Sequence, residues 1–322
     1  MRSVILPTYS FVIPLYNESP GLVAFHDSLI AALKERDEES YEIIYVNDGS
    51  TDTTLAKAQK LAEQDTAVRV LSLLRNFGKE IAITAGIGEA RGQAIITLDA
   101  DGQHPVELIP EFIARWKAGS KVVVGIRTAN QKEGLTKRVG SRLFYSLFNT
   151  FTGRKIVPGL SDYRLIDRTV QREFMKMTER NRIARGMIDW LGYPQDYIYF
   201  KAKARMAGQA GYSFTKLVKL AVDSVVSFSI SPLHIISYIG AVVLPVSVLL
   251  AVLMLVNVIV GDPFGLHITG GAFVLVLMLF LIGVLLVSQG IIGMYLAHIH
   301  AETQNRPLYI IDTESSVRLH EE

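Results

Sequence analysis

The chain has 322 residues, enough for one large domain or for one domain plus a membrane region. It contains no cysteine, which excludes a disulfide framework and a thiolate metal site. The formal net charge of +2, without a long basic tract, argues against nucleic-acid binding, so no nucleic-acid partner is expected. The N-terminal segment lacks the apolar length and cleavage site of a signal peptide, and we expect the large N-terminal part to stay in the cytoplasm.

Short β-branched runs alternate with segments of helical spacing through the first half of the chain. The predicted strands are Ser10–Pro14, Glu42–Asn47, Val68–Leu73, Ala94–Leu98 and Lys121–Gly125, and the predicted helices between them are Leu22–Leu33, Thr53–Ala62 and Glu80–Ala90. Alternation of this kind indicates an α/β domain whose mostly parallel sheet is covered on both faces by helices.

Polar clusters follow three of the predicted strands. They are Tyr16-Asn17-Glu18 after the first strand, Asn47-Asp48-Gly49-Ser50 after the second and Asp99-Ala100-Asp101 after the fourth. Ligands of such sheets bind beyond the carboxyl ends of the strands, so these clusters predict a binding site at that edge.

The segment Leu98–Pro105 (LDADGQHP) carries the strongest chemical signal. Asp99 and Asp101 follow an apolar strand at a spacing of two residues, and two close carboxylates are costly without a compensating cation. Magnesium ions commonly use one or two carboxylates plus substrate phosphates, which suits a nucleotide diphosphate. An Asp-x-Asp pair also occurs in ordinary surface turns, but the buried strand and the neighbouring clusters favour a site for Mg²⁺ or Mn²⁺.

Two amphipathic segments flank the end of this domain. One covers about residues 134–152, with apolar residues at every fourth position from Leu135 to Phe151, and the other covers residues 213–231. Basic amphipathic helices can lie in a membrane interface, although each segment could instead pack on the sheet. For the second, which runs directly into an apolar region, we favour the membrane.

The apolar region is long enough for two membrane spans, Leu233–Val260 and Ile268–Ile299, separated by a turn at Gly261–Gly265. A buried soluble hairpin is the alternative, which the absence of charged side chains within both runs disfavours. Lysine and arginine flank the outer ends but not the turn, so both termini are expected in the cytoplasm. The predicted organisation is a catalytic domain over 1–212, a juxtamembrane helix over 213–231, two spans within 232–299 and a polar, partly disordered tail over 300–322, ordered near Arg306–Ile311.

The motifs, taken in order, resemble family-two glycosyltransferases of GT-A fold. More narrowly, they resemble the dolichol-phosphate mannose synthase branch and the bacterial polyisoprenyl-phosphate glycosyltransferases of the GtrB and ArnC kind. The matching segments are VIPLYNE (Val12–Glu18), VNDGSTD (Val46–Asp52), LRNFGKE (Leu74–Glu80), a relaxed Ala/Gly pattern (Ala85–Gly92), LDADGQHP (Leu98–Pro105), GIR (Gly125–Arg127), SDYRLIDR (Ser161–Arg168) and RPLYII (Arg306–Ile311).

The resemblance implies roles for the donor side of the site. Pro14, Tyr16 and Glu18 would line the nucleoside pocket, Asp48 would contact the base or ribose, Asp99 would help to hold the nucleotide, and the metal set would be Asp99, Asp101 and Gln103. Asn47 stands where many relatives have an aspartate, which leaves Asp48 as the carboxylate of that pair.

The acceptor side is implied in part in the same way. The candidates for binding the acceptor phosphate are Arg127, Arg138 and Ser141, by their positions in the resemblance, and also Arg205, although each could be a solvated surface residue. Because a phosphomonoester is largely dianionic at neutral pH, it needs alignment more than a general base. Asp162 falls where other family-two enzymes keep a base, so the catalytic set is Asp101, Arg127 and Asp162, with Arg164 a structural partner for Asp162 and His104 structural.

The expected function is metal-dependent, inverting transfer of one sugar from a nucleotide-sugar donor to a polyisoprenyl phosphate lipid, with glucose from UDP-glucose and undecaprenyl phosphate as the expected pair. GDP-mannose, UDP-GlcNAc and aminoarabinose donors stay open, and similar proteins suggest a homo-oligomer, a tetramer. A processive polysaccharide synthase is disfavoured because the chain lacks a Gln-x-x-Arg-Trp motif. A non-catalytic membrane scaffold or lipid-transport subunit is disfavoured because Asp99, Asp101 and Gln103 are all present.

Overall fold

The computed structural model describes residues 7–34, 40–128, 159–180, 182–201 and 270–319, with scattered positions between 242 and 261. The chain divides into two compact units. The first comprises Met1–Leu135, Val157–Gly211 and Arg306–Glu322, and the second comprises Thr136–Ile156 and Tyr212–Asn305.

A seven-stranded sheet forms the centre of the first unit. Its strands are β1 (Tyr9–Leu15), β2 (Tyr41–Asn47), β3 (Val68–Ser72), β4 (Ala94–Thr97), β5 (Val122–Arg127), β6 (Leu160–Asp167) and β7 (Gln195–Phe200). The helices are α1 (Leu22–Lys34), α2 (Thr54–Gln64), α3 (Lys79–Glu89), α4 (Ile109–Lys117, after a 3₁₀ turn at Val106–Leu108), α5 (Arg168–Lys176) and α6 (Ala184–Trp190).

The strand order is β3-β2-β1-β4-β6-β5-β7, and only β6 runs antiparallel to its neighbours. The predicted α/β fold with a mostly parallel sheet is confirmed, and the five predicted strands and three predicted helices all form within a few residues of their expected bounds. Strands β6 and β7 were not predicted. In β6 the polar residues Asp162, Arg164 and Asp167 interrupt the β-branched pattern that marks the other strands.

Helices cover both faces of the sheet. On one face α1, α2 and α4 contribute Phe25, Leu61 and Phe112 to a core that includes Phe11 and Ile13 of β1. On the opposite face α3, α5 and α6 contribute Ile83, Phe174 and Met187 to a second core that includes Val12. The central strand β1 is therefore buried on both faces, which explains why its sequence is apolar except at Ser10.

Helix α3 lies very close to the sheet because Gly86 has no side chain. A β-carbon at Gly86 would lie 2.3 Å from Val12 Cγ1 and 2.8 Å from Val46 Cγ2. This contact fixes the height of α3 above β1 and β2.

A buried charge network lies at the other edge of the sheet, at the beginnings of β2 and β3. Arg69 donates to Glu42 Oε2 at 2.8 Å, and both side chains are 7% exposed. Glu42 Oε1 also accepts from the hydroxyl of Ser10 at 2.6 Å and the backbone N–H of Arg91 at 2.7 Å. Arg69 also donates to Glu89 Oε2 at 3.1 Å, so removal of Glu42 leaves Glu89 as the remaining ion-pair partner of Arg69 among the described residues.

We expect Glu42→Ala to lower the free energy of unfolding by about 3 kcal/mol, because Arg69 keeps only its pair with Glu89 and the buried hydroxyl of Ser10 loses its acceptor. A fall in the unfolding temperature of the detergent-purified protein measures this. Glu173→Ala is the matched control, since Glu173 forms an exposed pair with Lys176 and its loss costs at most about 0.5 kcal/mol. Equal unfolding temperatures for the two variants would contradict the expectation.

The C-terminal segment returns to the first unit. Leu73 forms an antiparallel bridge with Ile311, and Val70 forms one with Val317. Residues 306–311 are ordered as expected, and the expectation of partial disorder is wrong for residues 312–319, because alternate backbone groups of this polar segment pair with the edge of β3.

The second unit contains α7 (Gly270–Thr303). Its window Phe280–Ala297 is long and apolar enough to cross a membrane, and none of that window is buried. It coincides with the second predicted span. Described positions from Val242 to Val260 are helical, but most of the first predicted span and its turn lie outside the described residues, as do both amphipathic segments. The first helix of the expected transmembrane hairpin stays a prediction.

Candidate functional site

The predicted clusters meet at one edge of the sheet. Strands β1, β2 and β4 are parallel and end there, whereas β6 is antiparallel and begins there. Thr97 at the end of β4 donates its hydroxyl to the backbone carbonyl of Asp162 at 2.5 Å. This pairing brings Asp162 beside Asp99, although the two residues are 63 positions apart in the sequence.

Lys79 connects these two carboxylates. Its Nζ lies 2.7 Å from Asp99 Oδ1, 2.8 Å from Asp99 Oδ2 and 2.8 Å from Asp162 Oδ2. Burial lowers the pKa of the Lys79 ammonium, but Asp99 and Asp162 outweigh that effect and raise it overall. Lys79 is therefore a fixed positive charge between two acidic groups.

Asp162 is fully ionised at neutral pH. Burial acts to raise its pKa, but Lys79 and Arg185 outweigh burial and lower the pKa to about 2. Arg185 Nη1 of α6 lies 3.9 Å from Asp162 Oδ1. Arg164, the expected partner, lies 3.5 Å from Asp189 and is a smaller cause of the lowered pKa of Asp162. A carboxylate with so low a pKa is a poor general base, and its contacts suit the positioning of Lys79.

His104 has the structural role expected from its sequence. The backbone N–H of Asp99 donates to His104 Nδ1 at 3.0 Å, and the ring stacks on Tyr163 with centroids 5.1 Å apart. The ring is 8% exposed, and burial is the main cause of its lowered pKa. A neutral imidazole that accepts at Nδ1 holds the start of the Asp99–Asp101 turn.

Asp101 and Gln103 lie in a tight turn after β4. Asp101 Oδ1 accepts from the backbone N–H of Gln103 at 3.0 Å, across Gly102, whose φ of +75° favours glycine. Arg127, at the end of β5, donates to Gln103 Oε1 at 3.1 Å. The structure therefore places Arg127 at the same edge as the acidic turn.

Asp48 anchors the loop that carries Lys79. Its Oδ1 accepts from the N–H of Phe77 at 2.7 Å and its Oδ2 accepts from the N–H of Gly78 at 2.9 Å. The residue is 2% exposed, and burial raises the pKa of its carboxyl against the opposing effect of these two bonds. The observed partners of Asp48 are thus internal, and its predicted contact with a base or ribose stays a prediction.

The predicted nucleoside residues surround the turn after β1. Tyr16 is 47% exposed, while Pro14 and Glu18 are partly buried. Asn17 Oδ1 accepts from the N–H of Thr51 at 2.9 Å and thereby ties this turn to the turn after β2. An open aromatic ring beside two fixed turns can stack on a base, a role that stays a prediction.

The donor set fits a divalent ion that is shared with a substrate. Within the described residues, no group of three or more His, Cys, Asp or Glu side chains could hold a metal ion alone. Asp99, Asp101 and Gln103 offer the hard oxygen atoms that magnesium and manganese prefer, and phosphate oxygens can complete such a set. Lys79 contacts both oxygens of Asp99, so an ion bound there would share that carboxylate with the Lys79 ammonium.

Some residues of the site were given no role from the sequence. Lys79 stands in the LRNFGKE segment, and the need for a cation between two acidic clusters is the signal that points to it. Arg185 has no comparable signal, because only the position of α6 brings it to Asp162. Arg138, Ser141 and Arg205 lie outside the described residues.

Three comparisons place the chain among known proteins. The family model described as glycosyl transferase family 2 matches residues 10–174. An uncharacterized glycosyltransferase of Synechocystis sp. is 37% identical and covers 94% of each chain. A bactoprenol glucosyl transferase of Shigella phage SfV is 36% identical, and the match covers 95% of this chain and 98% of the phage protein.

A solved structure supports the fold. The glucosyl-3-phosphoglycerate synthase of Mycobacterium tuberculosis, in complex with Mn²⁺, UDP-glucose and phosphoglyceric acid, superposes with a TM-score of 0.51 and 18% identity. The match covers 68% of this chain and 78% of that one. At this identity the likeness concerns the fold alone.

Proposed function

Because this chain belongs to glycosyl transferase family 2, we propose that it is the enzyme that transfers one sugar from a nucleotide-sugar donor to a polyisoprenyl phosphate lipid. Glucose from UDP-glucose and undecaprenyl phosphate are the proposed substrates. The observation that carries this proposal is the similarity, over 95% of the chain, to a protein named bactoprenol glucosyl transferase. The charged side chains at the carboxyl edge of the sheet suit the binding of a donor diphosphate and an acceptor phosphate.

In the proposed reaction, an oxygen of the acceptor phosphate attacks the anomeric carbon of the sugar. The new carbon–oxygen bond forms as the bond to the donor diphosphate breaks, and the nucleoside diphosphate leaves. Direct displacement inverts the anomeric configuration and gives a β-linked sugar from an α-linked donor. The acceptor phosphate is already largely dianionic at neutral pH, so no side chain has to remove a proton.

The described residues then have electrostatic roles. Lys79 places a positive charge where negative charge grows on the leaving diphosphate, and Asp99 and Asp162 hold its ammonium in place. Arg127 offers a guanidinium to the acceptor phosphate at the same edge. A divalent ion bound by Asp101, Gln103 and Asp99 would neutralise part of the diphosphate charge.

The membrane is the proposed location of the reaction. Helix α7 is long and apolar enough to span it, and the proposed acceptor is a lipid. We place the first unit and both termini in the cytoplasm, because the lysine and arginine residues flank the outer ends of the apolar region. A homo-oligomer, with four copies, is proposed on the resemblance to similar proteins.

The test is an assay of the purified full chain in detergent with a short polyprenyl phosphate and a panel of donors. The panel comprises UDP-glucose, GDP-mannose, UDP-GlcNAc and a nucleotide-linked aminoarabinose, with the product identified by mass spectrometry and its anomeric configuration by NMR. We expect β-glucosyl polyprenyl phosphate from UDP-glucose. Product from GDP-mannose alone would reject the glucose assignment, and UDP binding without any product would favour the non-catalytic scaffold.

A further inference from the structure

The segment 306–319, named here the C-terminal strap, completes the edge of the sheet at β3. The N–H of Val317 donates to the carbonyl of Val70 at 2.8 Å, and the N–H of Val70 returns a bond of 3.1 Å. The N–H of Asp312 donates to the carbonyl of Ser72 at 2.8 Å. Alternate backbone groups along β3 are thus paired with the strap, which acts as an irregular eighth strand.

Side chains strengthen this attachment. Arg69 Nε donates to the carbonyl of Arg318 at 3.0 Å, and Gln59 Nε2 donates to the carbonyl of Ser315 at 2.8 Å. Tyr309 packs on the core formed by α3, α5 and α6, and its hydroxyl oxygen lies 3.5 Å from the position of a β-carbon built on Gly88 of α3. The strap therefore contacts both the edge strand and the helix that begins with Lys79.

The strap also fixes the beginning of the loop that leads to Lys79. The N–H of Leu74 donates to the carbonyl of Ile310 at 3.0 Å. Four residues later the loop ends at Gly78, where Asp48 accepts two backbone N–H bonds. The loop 74–78 is thus held at one end by the strap and at the other by Asp48, and the next residue is Lys79.

We propose that the C-terminal strap positions Lys79 for catalysis by holding Leu74 and α3. This role rests on the proposed function. The strap contacts β3, α2 and the core beside α3, so it acts on the site through the 74–78 loop. Since a misplacement of about 1 Å can cost about 100-fold in rate, a loosened loop has a measurable effect on turnover.

A purely structural role makes a different prediction. An unpaired edge strand promotes aggregation and lowers stability. If protection of that edge were the only role of the strap, a break would have the same effect on stability and turnover wherever it falls. The positioning role predicts that a break near Leu74 matters more for turnover than a break at the far end of β3. The two ends of the strap allow this comparison in the full chain.

The experiment compares Asp312→Pro with Val317→Pro. Each removes one N–H that donates to β3, the first at Ser72 and the second at Val70. Asp312→Pro also removes the carboxylate that accepts from the N–H of Ser315 at 3.2 Å, so Asp312→Ala, which keeps the backbone N–H, is its control. We expect both to lower the unfolding temperature, but Asp312→Pro alone to reduce kcat, by about 10- to 100-fold with KM for the donor within about threefold. Tyr309→Phe, which keeps the packed ring, should retain the kcat of the unmodified protein.

Hydrogen exchange provides a readout that needs no activity. In Asp312→Pro the amides of residues 74–79 should exchange at least about 10-fold faster, while those of β1 and β4 stay protected. Unchanged exchange at 74–79, or equal losses of kcat in Asp312→Pro and Val317→Pro, would overturn the positioning role. If the unmodified protein transfers no sugar, the proposed function fails, and the exchange comparison alone still decides whether the strap orders the loop.

Discussion

We expect Asp101→Ala to reduce sugar transfer by at least about 10³-fold in kcat without unfolding the protein. Asp101 lies in the turn after β4, is partly exposed, and accepts from the N–H of Gln103 through Oδ1. Its loss removes a carboxylate proposed to share an ion with the donor diphosphate. Steady-state rates with saturating Mg²⁺ or Mn²⁺ measure the effect.

The controls for Asp101 separate charge from shape. Asp101→Asn keeps an oxygen that can accept from the N–H of Gln103 at 3.0 Å, so the turn should survive while the metal affinity falls. Glu173→Gln changes an exposed carboxylate of α5 and should retain full activity. Full activity in Asp101→Ala would remove Asp101 from the metal set, whereas a lowered unfolding temperature in Asp101→Asn would show that the turn itself had been damaged.

Sequence alone predicts most of the parallel half of the sheet. Strands such as β1 and β4 are apolar on both faces because helices cover both faces of the sheet, so their composition alone indicates that they are buried. Strand β6 escapes this reasoning, because Arg164 and Asp167 are buried with partners that come from distant parts of the chain. From the sequence alone, a buried charged residue cannot be distinguished from a surface residue until its partner is known.

The same limit applies to the site. The acidic turn at Asp99 and Asp101 is evident from the sequence, since two carboxylates after an apolar strand require a cation. Which cation compensates Asp99 in the described structure depends on the antiparallel pairing of β6, which brings Asp162 beside it and places Lys79 between the two. Likewise, the C-terminal strap pairs with β3 through three-dimensional contacts, and no local sequence pattern in this polar segment predicts them.

The second large effect is expected for Lys79→Met, which should lower kcat by about 10²–10³-fold. The variant keeps the length of the side chain but leaves Asp99 and Asp162 together without their shared cation, and it removes the positive charge proposed to stabilise the leaving diphosphate. Lys79→Arg retains the charge and should recover part of the activity. If Lys79→Met were as active as the unmodified protein, Lys79 would have a structural role only.

The same variant should change the pH dependence of stability. The pKa of Asp162 in the folded protein is about 2, below its ordinary value of 3.8. A lowered folded-state pKa stabilises the fold above pH ~3.8, and this contribution, about 2 kcal/mol, is lost as the pH falls toward ~2. Without Lys79 the pKa of Asp162 rises, because Lys79 is the main cause of its lowering and only the weaker effects of Arg185 and Arg164 remain, so Lys79→Met should unfold at a higher pH on acid titration. Unfolding curves of Lys79→Met and Lys79→Arg between pH ~2 and ~5 measure this difference, and coincident midpoints would show that Lys79 is not the main cause of the lowered pKa.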